Sequence, residues 1–453
     1  MPYNFCGENL RGRCFKGSDL TGADFSYADI RSTDFTGAIL RETKFCHVKA
    51  GLQRRWAIFL VMVSWLLGGI SGFFSGCAGA MVSLLIFNGE NFSYQVAGWA
   101  SLVVLFVYLR VIIRFGIQAS VATVAGGFAV AIGGIIAFPV ASFVGGEFAI
   151  AIAGAFAIAV TLTIAETFAF AVAVAFTIAR GLAVVGVFLF AVAFPIFGSF
   201  TVAFSVSRGY AVAFAVGFTV VFFLVGIYIA FAALMGEDKY ASIRELVIAI
   251  AAFKGTSFEN ADLTDANLTQ ATLKSTSFSK AKLTRTCFQR VKMLDRVHCG
   301  SCYLKNAQLR QVLVTGYGQV INFDNLDLRE VNLKGANLAD ASFISADLRE
   351  ANLQDADLSR AKLVQTQLAG TDFTNSTLTG AYIEDWGITN SSIFTAVKCE
   401  YVYMRLPTKN NPDPLRKPDN FQEVFADGEF GDFIKLISLK DVYYRLLWKY
   451  KPI

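Results

Sequence analysis

From Phe5 to Phe45 a bulky apolar residue recurs at every fifth position: Phe5, Leu10, Phe15, Leu20, Phe25, Ile30, Phe35, Leu40 and Phe45. A small residue stands two positions earlier in several units, as in Ala23-Asp24-Phe25 and Ala28-Asp29-Ile30. The period returns from Phe253 to Met293, slips by one to Leu304, Leu309 and Val314, and is interrupted over 315–322. It then holds one register from Phe323 to Ile393. Five fits neither the helical period of 3.6 nor the strand period of 2. It fits a chain that turns a corner once per repeat, with large side chains stacked on an axis and small ones in a tight interior. Such coils cannot bury their apolar face alone and need neighbours above and below.

Ala261-Asp262-Leu263, Ala266-Asn267-Leu268, Ala336-Asn337-Leu338, Ala346-Asp347-Leu348, Ala351-Asn352-Leu353 and Ala356-Asp357-Leu358 resemble the A-(D/N)-L-x-x consensus of the pentapeptide-repeat family. The resemblance implies a right-handed quadrilateral β-helix with four repeats per coil. At a spacing of about 4.8 Å per coil, the second array makes a rod on the order of 30 Å. Nine front repeats, about two coils, are thin for independent stability and are expected to stack on the longer array.

Between the arrays the pattern changes. From Trp56 to Gly236 charges are nearly absent, which raises the mean hydropathy of the chain to +0.50 and lowers its charged fraction to 17%. A membrane span needs about 20 apolar residues. The sequence therefore predicts six helical spans, over 56–87, 96–115, 117–144, 148–178, 181–206 and 210–235. The alternation of Phe with Ala, as in 168–175, is apolar on both faces, unlike a membrane barrel, and suits helices that approach through small residues. The expected fold class is an α-helical multi-span membrane domain plus a pentapeptide-repeat β-helix. Its parts are repeats over 1–50, the spans over 51–240, the long solenoid over 241–398 and a tail over 399–453.

Arg54, Arg55, Arg110, Arg114, Lys239 and Arg244 at the span ends place both repeat arrays on the inner side. Arg208 departs from that rule. The N-terminus opens on polar repeats rather than a leader, so the eight Cys are expected to be reduced thiols. The expected location is an integral protein of a cytoplasmic or thylakoid membrane, with both arrays on the cytoplasmic face.

Candidate chemistry is sparse. Glu166 and Arg180 are charges inside the apolar stretch, where ionisable groups are costly and often functional. His298, Cys299 and Cys302 form a His-Cys-x-x-Cys stretch at the register slip, a pattern used for metal binding or thiol redox chemistry. The spacing lacks a second Cys pair for structural zinc, so packing is the plainer reading and no cofactor is expected. The only other His is His47, and no Ser-His-Asp set, phosphate-binding Gly loop or carboxylate pair appears, so an enzyme is not expected.

Along the long array, basic residues gather between Lys274 and Arg310 and acidic ones between Asp324 and Asp357. The basic half suits anionic headgroups. The near-neutral balance argues against the nucleic-acid mimicry known in the family, and nucleic acid is not an expected partner. The tail pairs a Pro-broken linker, 407–418, with a helix expected over 421–434 behind an Asn420 cap. Residues 399–433 resemble a module that ends some cyanobacterial pentapeptide-repeat proteins, a group tied to membrane assembly. The expected role is a membrane-anchored scaffold binding protein partners on the solenoid face, with membrane lipids and a homo-oligomer as further expected partners. The alternative is a transporter of a small molecule or lipid regulated by the solenoid.

Overall fold

The computed structural model describes residues 3–63, 237–300, 302–409 and 412–436, with scattered helical positions between 83 and 114 and between 213 and 233. It divides into two compact units, Met1–Leu52 with Lys254–Ile453, and Gln53–Phe253.

The first unit is a four-sided parallel β-helix. Backbone bridges join residues 20 apart, such as Asn4↔Asp24 and Asp347↔Gln367, so four pentapeptides complete one coil. The two arrays are one solenoid. Asp34 pairs with Ser257, Ile39 with Asp262, Lys44 with Asn267 and Lys49 with Thr272. The column Asn4–Asp24–Lys44–Asn267–Cys287 therefore crosses the 201-residue interval between Leu52 and Lys254 without a break. Phenylalanine rings follow the same path: Phe15, Phe35, Phe258 and Phe278 stack at successive centroid separations of 5.3, 5.1 and 5.1 Å. The chain leaves and re-enters at one corner, where Ser32 Oγ donates to the Lys254 carbonyl (2.6 Å) and the Gly51 amide donates to Thr256 Oγ1 (2.8 Å). Gly51 has φ +113, and a Cβ there would lie 1.9 Å from the Lys274 carbonyl oxygen, so only glycine fits.

Each position of the repeat has a physical task. The bulky residue faces inward and is buried. Its carbonyl accepts from the amide three residues on, as in Ala28 N–H to Phe25 O (3.0 Å), and the residue between has positive φ, as a type II turn requires. The Asp or Asn before the bulky residue accepts from the amide two residues on, as in Ser26 N–H to Asp24 Oδ1 (2.8 Å) and Gln354 N–H to Asn352 Oδ1 (2.9 Å). These side chains build Asx turns. At the small position, buried threonines donate to a carbonyl of the coil below: Thr33 to Leu10, Thr286 to Leu263, Thr366 to Phe343 and Thr371 to Leu348. These four buried hydroxyls are satisfied, whereas those of Thr276 and Ser376 are buried without a hydrogen-bond partner.

Several expected repeat positions are displaced. Phe253 is not the first rung: it follows the helix α1 (Ala241–Ala252) and is 75% exposed. Leu304, Leu309 and Val314 do not extend the array. A 3-10 turn over Tyr303–Lys305 leads to the helix α2 (Ala307–Thr315). Asn306 caps it by accepting from the Leu309 amide, Gly316 ends it with φ 75, and Leu309, Val312 and Leu313 bury one helical face. The solenoid resumes at Tyr317, which pairs with Asn337. Gly318 takes the inward place because Val312 of α2 fills that volume; a Cβ there would meet Leu338 at 2.7 Å and Val312 at 3.1 Å. At the far end Phe394, not Ile393, points in, stacking on Phe373 at 5.0 Å.

The tail closes that end. The strands β3 (Val402–Tyr403) and β4 (Arg416–Lys417) pair antiparallel, β1 (Thr256–Ser257) and β2 (Thr276–Ser277) being a parallel pair within the coils. Residues 429–436 form a helix whose Phe430 and Ile434 join the core, with Phe430 6.4 Å from Phe394. The helix starts later than the sequence predicts. Asn420 instead caps a turn at Gln422, and Gly428 holds φ 83 just before the helix.

The predicted membrane domain is overturned. Among the described residues no helix is long and apolar enough to cross a membrane. A span needs about 20 residues, whereas α1 has 12 and α2 has 9. The fold class supported is the pentapeptide-repeat β-helix, without a shown multi-span helical domain. The expected integral location in a cytoplasmic or thylakoid membrane is corrected on the same finding. Most of the six expected spans, with Glu166 and Arg180, lies outside the described residues.

Candidate functional site

Three of every five residues on the solenoid face outward, so its walls are ruled rows of side chains at the strand spacing of about 4.8 Å. On one wall Arg329 bonds Asp327 (2.7 Å) and approaches Asp347 (3.7 Å), while Arg349 bonds Asp347 (2.6 Å). The hydrogen bond from Arg349 holds the Asp347 carboxyl below its usual range despite some burial. Arg360 bonds Asp340 across one coil at 2.6 Å, and Arg285 bonds Asp265 in the same way at 2.7 Å. In the front coils Asp29 is held by Arg11 (2.6 Å) and Arg31 (2.7 Å). Burial opposes ionisation of Asp29, but the two guanidinium hydrogen bonds outweigh it and keep its carboxyl far below the ordinary value. The basic stretch expected between Lys274 and Arg310 thus includes Arg285, paired with an acid of the neighbouring coil.

Two apolar side chains stand out on another face of the coil, below the Asp340–Arg360 pair. Tyr317 and Val320 are 70% and 72% exposed, just after α2. Val320 sits at the left-handed corner with φ 61, where a β-branched residue is an outlier. Sequence reasoning passes over both, because Gly318 hides the rung between them. The signal was present: the Phe323 register, extended back by five, lands on Gly318.

The structure brings Cys299 and Cys302 together and leaves His298 to the ladder. The His298 amide donates to the Thr276 carbonyl, and its own carbonyl accepts from Phe278. Cys299 is buried in the wall, and Cys302 is half-buried at the head of the 3-10 turn. The Cys302 thiol and amide both donate to the Cys299 sulfur, which lowers the Cys299 pKa against the effect of burial. The Cys302 thiol is correspondingly pushed far up, first by that hydrogen bond and then by burial. Among the described residues no group of three or more His, Cys, Asp or Glu is placed to hold a metal ion.

The model of pentapeptide repeats matches eight copies, over residues 9–41, 251–290, 321–360 and 351–385. No curated protein matches the chain. Among solved structures, it is similar to a pentapeptide-repeat protein of the Arabidopsis thaliana thylakoid lumen, at 26% identity, covering 22% of this chain and 74% of that one, TM-score 0.13. It is also similar to a pentapeptide-repeat protein of the cyanobacterium Cyanothece, at 20% identity, covering 31% and 63%, TM-score 0.13. A third is HetL of the cyanobacterium Nostoc, a pentapeptide-repeat protein involved in heterocyst differentiation regulation, at 21% identity, covering 33% and 66%, TM-score 0.12. Those scores are too low to compare whole architectures. The matched repeats and the 20-residue coil agree on one assignment: the solenoid of this chain is built of pentapeptide repeats.

Proposed function

We propose that this protein is a non-catalytic scaffold whose solenoid wall binds a protein partner. The observation that carries the reading is Tyr317 with Val320, an aromatic and an aliphatic side chain standing out of a wall otherwise lined by ion pairs and Asx turns. Exposed aromatics are the usual anchors of protein interfaces. A β-branched residue held in the left-handed region costs about 1–2 kcal/mol, and strain of that kind gathers where function requires it. The Asp340–Arg360 ion pair, which stands at the same corner as Val320 in the next coils, supplies a fixed charge pattern that selects a partner and sets its register. The transport alternative finds no support, and the residues that motivated it, Glu166 and Arg180, lie outside the described residues.

The experiment compares partners captured by the full chain with those captured by a Tyr317→Ala, Val320→Gly double variant. Val320→Gly relieves the corner, so the variant keeps its far-UV circular dichroism. At least one partner should fall by about tenfold or more, the scale set by losing one hot-spot residue. Equal recovery of every partner by both proteins would sink the reading.

A further inference from the structure

We propose that the tail carries a recognition site of its own, in which Arg416 takes a carboxylate presented by a peptide segment of a partner protein. Arg416 opens β4 and pairs with Tyr403 of β3. Its guanidinium lies against two rings, with Cζ 4.7 Å from the centroid of Tyr401 and 5.4 Å from that of Phe421. Gly380 leaves room for the first ring, since a Cβ there would stand 3.4 Å from Tyr401 Cε2 and 3.5 Å from its hydroxyl. Arg416 is thereby buried, at 8% exposure.

A buried cation is costly unless it is compensated. Here the compensation comes from main-chain carbonyls. Nη1 donates to the Pro418 and Asn420 carbonyls at 2.5 and 2.7 Å, and Nη2 donates to the Glu423 carbonyl at 2.9 Å. A guanidinium carries five N–H donors, so the Nε–H and one Nη2 hydrogen are left over. They are not sealed in. Among the described residues the side-chain atoms buried without a partner are Thr276 Oγ1 and Ser376 Oγ, so Nε opens to solvent.

The acids of this region are engaged elsewhere. Asp413 accepts from the Leu415 amide (2.9 Å), Asp419 pairs with Lys417 (2.8 Å), Glu423 accepts from Asn420 Nδ2 (3.1 Å) and Glu384 accepts from the Leu406 amide (2.8 Å). Arginines of the solenoid wall behave differently. Arg285, Arg329, Arg349 and Arg360 each hold an Asp, although all four are far more exposed. The buried guanidinium is the one left without an anion.

Two free donors on one guanidinium match the two oxygens of a carboxylate. Phe421 and Val424, 82% and 55% exposed on the same turn, offer apolar surface to the residues beside that carboxylate. This suits a peptide, and the neighbouring Asp413, Asp419 and Glu423 disfavour a dianion such as phosphate. The site is separate from Tyr317 and Val320, and its test does not depend on them.

The test is saturation-transfer NMR on the full chain with short peptides as probes. One is acetyl-Leu-Glu-Leu-amide, the second replaces Glu by Gln, and the third is the Gln peptide with a free C-terminal carboxylate. At least one carboxylate peptide should bind about tenfold or more tightly than the Gln amide, the scale of a hydrogen-bonded charge. A response to the first assigns an acidic side chain, and a response to the third assigns a chain terminus. Arg416→Lys keeps the charge but loses the fork, and should weaken binding by about tenfold. Phe421→Ala removes an exposed ring and should weaken it by about two- to fivefold. Should Arg416→Lys melt earlier than the parent chain, Phe421→Ala carries the test. No binding of any peptide, or equal binding of all of them, would overturn the proposal. So would carboxylate binding undiminished in folded Arg416→Lys, or in Phe421→Ala where that variant carries the test.

Discussion

Truncating Phe258 to alanine removes the ring that joins the two arrays. Phe258 is fully buried and stacks on Phe35 from the front array and on Phe278 from the rear one, each at 5.1 Å with nearly parallel planes. It also meets Phe45 edge-on at 5.5 Å. A buried Phe→Ala change costs about 3–5 kcal/mol, and the stacked pairs contribute about 0.5–1.5 kcal/mol each within the upper part of that range. In a solenoid, stability is passed between adjacent coils, so the loss must appear on both sides of Phe258. Hydrogen exchange read by mass spectrometry gives the answer in peptides. Amides near residues 30–50 accept or donate directly across the junction, as Phe35 N–H does to Ser257 O and Phe45 N–H to Asn267 O. Their protection should fall by roughly 100-fold or more, at about 1.4 kcal/mol per factor of ten. The perturbation lies more than 200 residues away in sequence from those amides. Unchanged protection in 30–50, with loss confined to 254–298, would mean that the front repeats fold without the rear ones and would refute the single-solenoid reasoning.

Two further outcomes follow from local geometry. Val320→Gly should raise stability by about 1 kcal/mol in urea unfolding, because a left-handed corner suits glycine and disfavours a β-branched residue; a loss of stability would show that the valine side chain is held by a contact. Asp29→Asn should cost about 1–2 kcal/mol at pH 7, a value discounted for the partial exposure of Arg11 and Arg31. The Asp29 pKa is depressed on folding, so its stabilisation is complete above the unfolded value of about 3.9 and disappears as pH falls through the folded value. The gap between wild type and variant, followed by urea unfolding from pH 7 down to pH 2, should therefore narrow only below about pH 4.

The ladder of fives was readable because each rung is local, one bulky and one small residue lying within five positions; the four-repeat coil followed only from the family resemblance those residues carry. The same locality explains the errors. Leu304, Leu309 and Val314 keep the spacing of five, yet Asn306 and Gly316 cap a helix there whose apolar residues also satisfy a helical period. Gly318 breaks the visible pattern while keeping the register, since α2 occupies the space its side chain would need. Ile393 and Phe394 compete for one inward place, and the larger ring wins by stacking on Phe373. An apolar stretch also reads as a row of spans from composition alone, and no described helix has the length that reading requires. At the thiol site, the Cys-x-x-Cys spacing was visible in the chain. The placing of Cys302 at the head of a 3-10 turn was not.

By itself, then, the chain determines its repeating unit, because inward and outward positions are set by turns that close within three residues. What only tertiary structure decides is which coil lies on which. The pairing of Asp34 with Ser257 and of Lys49 with Thr272 spans more than 200 residues. No local preference encodes it; it exists because a short array gains the missing neighbour for its apolar edge only by stacking on the longer one.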